Sequence, residues 1–368
     1  MPSNNPLEKK CVLVLYTELA PYVLACLNAL VQRADVDIHL VRWPVNAEAP
    51  FELSSHPRIT VYDRGSMNDE GLLALADRTA PRIVLASGWL DKGYLKVCRR
   101  MRAQGATTVM TFDTAWRGGV KQWLSAAVGR FWIPATYTHA WATGERQSRY
   151  ARMLGFAPDR VRSGFYAADT APFVQAYADA ITARKVRYPH RFICVARYID
   201  TKGQQQLCDA FAALCDEGRA GNWELHMVGV GDRSEAVRNS RSGKHPRIGH
   251  RGFVQAKDMP EVLASSGVSV VPSLYEPWGV VVQEHACMGL PLVLSDAVGA
   301  AERFLRKGEN GSGHKAGDVE DLKMTLANIV ASTDAELLTM GTRSAALGAS
   351  WTPHHWAEVA TELLQQRP

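Results

Sequence analysis

The chain has 368 residues, 46% of them hydrophobic and 21% charged, and a net charge of +5. That length exceeds what one hydrophobic core ordinarily organises and suits two domains, and the composition is that of a folded globular protein rather than a disordered or fibrous one. No apolar run reaches the roughly 18–20 residues that span a bilayer, and seven cysteines without a CxxC pair point to neither a disulfide framework nor a zinc site.

The opening MPSNNPLEKKCVLVLY enters a strand almost at once, without an apolar segment of signal-peptide length, so a cytoplasmic protein is expected. The charge is uneven. Residues 1–168 carry 21 Lys and Arg against 14 Asp and Glu, and the remainder carries 21 and 23. Either this is a chance surface bias, or the N-terminal half meets something anionic, such as a membrane surface or a phosphorylated acceptor. A nucleic-acid partner is not expected.

In chain order, Cys11–Tyr16 is a buried strand, with Thr17–Tyr22 as its exit loop and Val23–Gln32 a helix. Val36–Val41 is a strand, 42–57 an irregular stretch, Ile59–Tyr62 a short strand and Gly71–Thr79 a helix. Arg82–Ala86, a helix over Lys92–Gln104 and a strand at Thr107–Thr111 follow. This alternation is that of a doubly wound parallel sheet. The segment Ala115–Tyr137 interleaves Trp116, Trp123, Phe131 and Trp132 with Arg117, Lys121 and Arg130. Such a mixture suits a membrane interface; the other reading is a core helix with a solvated basic face. Thr138–Thr143 and Arg160–Ser163 read as strands around a helix over Glu145–Leu154. A polar, irregular stretch to about His190 is expected to hold the domain boundary.

A second α/β unit begins at Arg191. Its strands are Phe192–Ala196, Trp223–Val228, Ile248–Phe253, Val268–Val271 and Pro291–Ser295, with helices over Gln204–Glu217, Met259–Ser265 and Val280–Met288. Trp351–Gln366 is a terminal helix. The expected fold class is therefore α/β, with two Rossmann-like domains in tandem: residues 1–170, residues 171–350, and a terminal helix over 351–368.

The residues suited to chemistry cluster in the second domain. Arg197 and Lys202 flank a strand-to-helix turn, where two cations grip a diphosphate, Arg by its fork and Lys as a point charge; a solvated basic turn is the alternative. Gly229-Val230-Gly231 follows a strand but lacks the third glycine of a dinucleotide fingerprint, because Ser234 stands in its place. A nicotinamide oxidoreductase is disfavoured for that reason. The backbone of Phe253 and Val254 offers an edge for a nucleobase; Phe253 as a core residue is the alternative. Glu276 lies at a strand end and Glu284 in an otherwise apolar helix, eight residues apart; lone solvated glutamates are the alternative. The helix start between them presents free N–H groups and a positive dipole to a phosphate, and a carboxylate such as Glu284 accepts from the vicinal hydroxyls of a ribose. His285 points about 100° away on the helix and is not assigned a role.

Taken together, Arg197…Lys202-Gly203, Gly229-x-Gly231, Gly252-Phe253-Val254, Glu276-x7-Glu284 and Gly299-x-x-Glu302…Asn310-Gly311 resemble the retaining glycosyltransferases of family 4, also called glycosyl transferases group 1. The similarity covers about 190–330 and is thin before it. It implies the GT-B fold, two Rossmann-like domains facing across a cleft, with the terminal helix packing back on the N-terminal domain. It implies transfer of a sugar, with retention and without a metal, from a nucleotide-diphosphate sugar to a glycan or lipid-linked acceptor in polysaccharide or glycolipid synthesis. No cofactor is implied beyond that donor substrate. On this resemblance Arg197 and Lys202 hold the diphosphate, helped by the N–H groups near Gly279 and Val280. Glu284 holds the ribose and Glu276 meets the transferred sugar.

Two departures concern the N-terminal half. Many relatives have a glycine-rich loop after the first strand, where this chain has Thr17-Glu18-Leu19-Ala20-Pro21. Many have a His after the strand matching Thr107–Thr111, where this chain has Phe112-Asp113. Asp113 is assigned to the reacting sugar; a turn or helix-capping role is its alternative. The acceptor is expected to be lipid-linked, and the protein peripheral at the inner membrane face through the Trp116–Trp132 region. The alternatives are a nucleotide-sugar epimerase or hydrolase of the same fold and a non-catalytic nucleotide-sugar-binding protein.

Overall fold

The computed structural model describes residues 10–44, 50–51 and 53–366. The opening residues 1–9, on which the expectation of no leader rests, lie outside them, as does part of the irregular stretch over 42–57. The chain divides into two units. One comprises residues 1–46, 52–167 and 353–368, and the other 47–51 and 168–352.

In the first unit the apolar run Val12–Leu15 is fully buried in β1 (Lys10–Tyr16), as a parallel strand covered on both faces requires. The chain continues through α1 (Pro21–Arg33), β2 (Val36–Arg42), β3 (Ile59–Asp63), α2 (Asp69–Thr79), β4 (Ile83–Ser87), α3 (Lys92–Ala103) and β5 (Thr107–Phe112). Next come α4 (Val120–Thr136), β6 (His139–Ala142), α5 (Glu145–Met153) and β7 (Val161–Ser163). Asn68 and Asp91 cap α2 and α3 with their side chains, at 2.8 Å to Gly71 N and 2.8 Å to Gly93 N. All seven strands are parallel, in the order β3-β2-β1-β4-β5-β6-β7. The order reverses between β1 and β4, which places the switch point of this sheet at the carboxyl ends of those strands.

The second unit begins with a correction. The stretch expected to be irregular up to His190 contains the 17-residue helix α6 (Thr170–Val186). Its apolar residues show no helical periodicity, so the pattern gave no signal, although Ala-rich composition favours helix. Packing decides it. Phe173 and Ala180 are buried, and the buried Arg184 donates to the carbonyls of Met288 at 2.6 Å and Leu263 at 3.0 Å. Beyond it run β8 (Arg191–Val195), α7 (Gln204–Asp216), β9 (Glu224–Val228), α8 (Ser234–Asn239), β10 (Ile248–Arg251), α9 (Met259–Ala264) and β11 (Val268–Val271). Then follow α10 (Val280–Cys287), β12 (Leu292–Ser295), α11 (Ala301–Phe304), β13 (Gly311–His314), α12 (Val319–Val330) and α13 (Asp334–Gly348). The six strands are parallel, in the order β10-β9-β8-β11-β12-β13, with the reversal between β8 and β11.

The last helix, α14 (Pro353–Gln365), returns to the first unit. It starts two residues later than Trp351, at a proline suited to the first helical turn. Trp356 is buried, stacks on Trp141 with centroids 4.8 Å apart, and donates its indole N–H to Phe165 O at 2.7 Å.

Candidate functional site

Three of the residues singled out in the second unit, Arg197, Lys202 and Glu276, lie on the loops at its switch point. The turn after β8 carries Arg197 and Lys202, and the loop after the neighbouring β11 carries Glu276. Two backbone bonds tie the loops together: Leu274 N and Tyr275 N both donate to Thr201 O, at 2.8 and 3.1 Å. On its other side the Glu276 loop pairs with residues after β12. Gly299 N donates to Glu276 O at 3.0 Å and Ala300 N to Trp278 O at 2.8 Å. Glu276 is thus held from both sides by main chain, which fixes its carboxylate more tightly than a free loop could.

The two side chains then meet. Lys202 Nζ donates to Glu276 Oε2 at 2.5 Å, with 16% and 12% of the side chains exposed. An ammonium has three donors, so this bond leaves two for other oxygens. Gly203, next in the chain, has φ +71°, and a Cβ there would stand 2.3 Å from Pro272 O. Only glycine lets the β8 turn lie this close to the end of β11. Arg197 is half-buried in the same turn, and its carbonyl accepts from Gln204 Nε2 at 2.6 Å.

Gly229 and Gly231 lie in the turn after β9. A Cβ on Gly231 would sit 2.5 Å from Tyr198 O, and Tyr198 N donates to Val230 O at 2.8 Å. Their glycine identity therefore answers a close chain-on-chain approach over residues 196–198. Phe253 and Val254 follow β10; Val254 is buried and Phe253 half-buried. The Phe253 ring packs at 5.4 Å on Phe51, and Gln255 Nε2 donates to Pro50 O at 3.1 Å, so a short piece of the chain's first part lines this loop.

Gly279 precedes α10 in the left-handed region, and the helix starts at Val280 with no side-chain cap. Its first N–H groups are unsatisfied within the helix. Glu284 lies one turn in. Burial pushes its carboxyl up to about 7, and the neighbouring Asp169 charge adds to the rise. Burial also raises Asp169. Next to Glu284 the buried Gln283 ties three segments of the unit together. Its Oε1 accepts from Ala168 N at 2.8 Å, and its amide donates to Gly348 O and Trp351 O. His285 is buried against Ser269 Oγ at 2.6 Å, and burial pushes its ring down to about 3, a neutral core histidine.

In the first unit Asp113 stands at the exit of β5, one strand from the switch point. Its carbonyl accepts from Gln147 Nε2 at 2.9 Å and its Oδ2 from the Tyr166 hydroxyl at 3.3 Å. Tyr16, at the end of β1, and Tyr22, in the first turn of α1, complete a cluster. Tyr22 and Tyr166 pack edge-on at 5.4 Å, and the three phenols interact with one another and with the Asp113 charge. Burial raises all three phenols, so they stay neutral donors. Nothing in the spacing of residues 16, 22, 113 and 166 announces this cluster, and the Asp169–Glu284 pair was equally silent, since each brings together residues far apart in sequence.

Residues 189–332 match the family model described as Glycosyl transferases group 1. An uncharacterized glycosyltransferase of Methanocaldococcus jannaschii is 29% identical over 119 residues, a match that spans 32% of this chain and 30% of that relative. Among solved structures, a sucrose-phosphate synthase from Thermosynechococcus elongatus superposes with a TM-score of 0.72 at 18% identity, over 97% of this chain and 98% of that one. Anabaena HepE in complex with UDP-glucose gives 0.70 at 16% identity, over 96% and 99%. An E. coli structure titled trehalose-6-phosphate, bound with UDP-2-fluoro glucose, gives 0.72 at 12%, over 98% and 100%. The fold is GT-B. At these identities the likeness speaks for architecture, and the family match lies within the unit that holds Lys202, Glu276 and Glu284.

Proposed function

We propose that the chain is a glycosyltransferase that moves a sugar from a nucleotide-diphosphate sugar to a glycan or lipid-linked acceptor, with retention at the anomeric carbon. The observation that carries this reading is the meeting of Lys202 and Glu276 at the switch point of the second unit. Open parallel sheets bind ligands at that place. Arg197 shares the turn of Lys202, and α10 with the half-buried Glu284 follows Glu276 in the chain, a set of groups suited to the parts of a nucleotide sugar. Solved neighbours hold UDP and UDP-glucose, so UDP-sugars are the first donors to test.

In this reading Arg197, Lys202 and the N–H groups of Gly279 and Val280 hold the diphosphate. They stabilise the charge that grows on it as the bond to the sugar breaks. Because these cations and the helix start meet that charge, the reaction proceeds without a metal. Glu284 accepts from the ribose hydroxyls, Glu276 contacts the transferred sugar, and the Phe253–Val254 loop and the Gly229–Gly231 turn border the nucleoside. The acceptor belongs to the first unit, with Asp113 as the polar group assigned to the reacting sugar. Retention follows from a same-face displacement: the bond from C1 to the phosphate oxygen breaks, the acceptor oxygen bonds to C1 on that face, and its proton passes to the departing phosphate. The place of action is the cytoplasm at the inner membrane face, in polysaccharide or glycolipid synthesis.

The test is thermal shift with a panel of nucleotide-diphosphate sugars, followed by nucleoside-diphosphate release with and without acceptor. Stabilisation by a donor, acceptor-dependent release and loss of both in Arg197→Ala and Lys202→Ala support the reading. Release that ignores every acceptor identifies a hydrolase. A panel in which no donor stabilises the protein ends the proposal.

A further inference from the structure

The helix α4 has its apolar residues on the outside. Val120, Trp123, Leu124, Val128 and Phe131 are between 57% and 80% exposed, whereas Ala126, Gly129, Ile133 and Thr136 are buried. At about 100° per residue, the exposed set with Ala127 covers an arc of about 140°, centred opposite the buried face. The helix therefore packs on its unit by Ala126, Gly129, Ile133 and Thr136 and turns most of its large apolar residues to solvent. Trp116 and Trp132, which the sequence groups with this face, instead pack against the core of the unit, Trp116 on Tyr150 at 5.3 Å. A core helix with a solvated basic face does not describe α4; the solvated face is apolar and its cations stand at the edges.

Those edges decide what covers it. Lys121 falls just beyond Val128 on one side of the arc and Arg130 just beyond Trp123 on the other, both exposed. Arg117 precedes the helix, and no Asp or Glu occurs from Thr114 to Gly144. An apolar stripe bordered by cations on both sides is the pattern of a helix lying in the plane of an anionic interface. There the apolar side chains enter the acyl boundary and the long cationic ones reach back to the headgroups. A two-fold pairing of this face with a second copy would bring two sets of cations together with no carboxylate in the segment to answer them. Among the described residues no helix is long and apolar enough to cross a membrane, so the contact is with the surface.

We infer that the α4 face of Val120, Trp123, Leu124, Val128 and Phe131, bordered by Lys121 and Arg130, is a docking surface for an anionic lipid bilayer. This sharpens the expected membrane contact from the whole Trp116–Trp132 region to one face and one orientation. It does not depend on which reaction the second unit performs.

The experiment is co-sedimentation with vesicles of phosphatidylcholine alone or mixed with phosphatidylglycerol, at low and high salt. It compares the native chain with Leu124→Ser/Phe131→Ser and with Lys121→Glu/Arg130→Glu. The substituted side chains are exposed, so both variants are expected to keep the native melting temperature, which is measured alongside. The expected result is binding to the mixed vesicles, weakened by salt, and at least tenfold weaker in each variant. Light scattering of the protein alone accompanies it. No binding to mixed vesicles at low salt overturns the inference, as does undiminished binding by the serine variant. A native dimer that the serine variant converts to monomer, without vesicle binding, assigns the face to a second copy instead.

Discussion

Lys202 Nζ and Glu276 Oε2 are 2.5 Å apart, joining the loops that leave β8 and β11 on the two sides of the switch point. The sequence assigns the two residues to different parts of a donor, the diphosphate and the sugar. In the structure they are first partners of each other. A half-buried carboxylate whose ammonium is removed keeps its desolvation cost, so the pair holds the loops together and, in the proposed donor site, also sets its charge.

That dual role makes a double-substitution experiment informative. In the proposed donor site Lys202→Ala removes a charge-assisted contact to phosphate worth about 1.5–3 kcal/mol, so donor affinity is expected to fall roughly 10- to 100-fold. It also leaves Glu276 unpaired and is expected to lower the melting temperature. Adding Glu276→Gln relieves that unpaired charge. The double variant is expected to regain melting temperature but not donor affinity, read by calorimetric titration with the donor found in the thermal-shift screen. Recovery of both would make Lys202 merely a counter-ion to Glu276.

Gly203→Ala tests how closely the loops must approach. The new Cβ would meet Pro272 O at 2.3 Å in a left-handed backbone conformation, so the turn has to move. A loss of about 1–3 kcal/mol of stability is expected, with weakened donor binding because Lys202 is the preceding residue. Urea denaturation measures the first and titration the second. Gly218→Ala is the control. It too has positive φ but meets nothing within 4 Å, so it is expected to lose stability with donor affinity intact.

The sheets were legible because buried parallel strands are short, continuous apolar runs bounded by turns, as at Val12–Leu15 and Val268–Val271. The candidate site was legible because Arg197, Lys202 and Glu276 are polar residues placed where such strands end, and Glu284 is a carboxylate in an otherwise apolar helix. The helix α6 was not, since its stability comes from contacts such as Arg184 with the Met288 and Leu263 carbonyls, which no local pattern records. Likewise α4 reads as amphipathic in composition, but which of its faces is buried depends on the partner elements. The Lys202–Glu276 bond, the tyrosines around Asp113 and the Asp169–Glu284 neighbourhood all join distant segments. Spacing cannot reveal them.

The Glu284 carboxyl, raised to about 7 by burial and by Asp169, gives a pH dependence with a definite sign. Its folded value lies above the ordinary 4.5, so the folded protein holds this proton more tightly than the unfolded chain. The resulting stability is complete below about pH 4.5 and is lost as pH rises through about 7. Asp169 is shifted the same way. A ribose anchor must be ionised, so donor affinity is expected to run oppositely and rise between about pH 6 and 8. Glu284→Gln is expected to flatten the stability slope across that range and to weaken donor binding at pH 8 by at least tenfold. Melting curves and titrations at matched ionic strength check both, and an unchanged pH profile of donor binding in the variant would remove Glu284 from the donor site.

Among the proposed site residues Asp113 stands in the first unit, and Tyr166 is the handle on it. The Tyr166 hydroxyl donates to Asp113 Oδ2 at 3.3 Å, and burial keeps the phenol protonated across the working pH range. Tyr166→Phe keeps the ring that packs on Tyr22 but withdraws that hydroxyl from the carboxylate. If Asp113 faces the acceptor side of the reaction, kcat is expected to fall about tenfold, as loss of one orienting hydrogen bond implies. KM for the donor should stay within about twofold, because the proposed donor contacts lie in the other unit. Asp113→Asn, which keeps the shape and removes the charge, should fall further, and combining it with Tyr166→Phe should add little, since the phenol acts through the carboxylate. Equal losses that multiply in the double variant would show that Tyr166 stabilises the unit by its own contacts, and native kcat in Asp113→Asn would exclude that carboxylate from the chemistry.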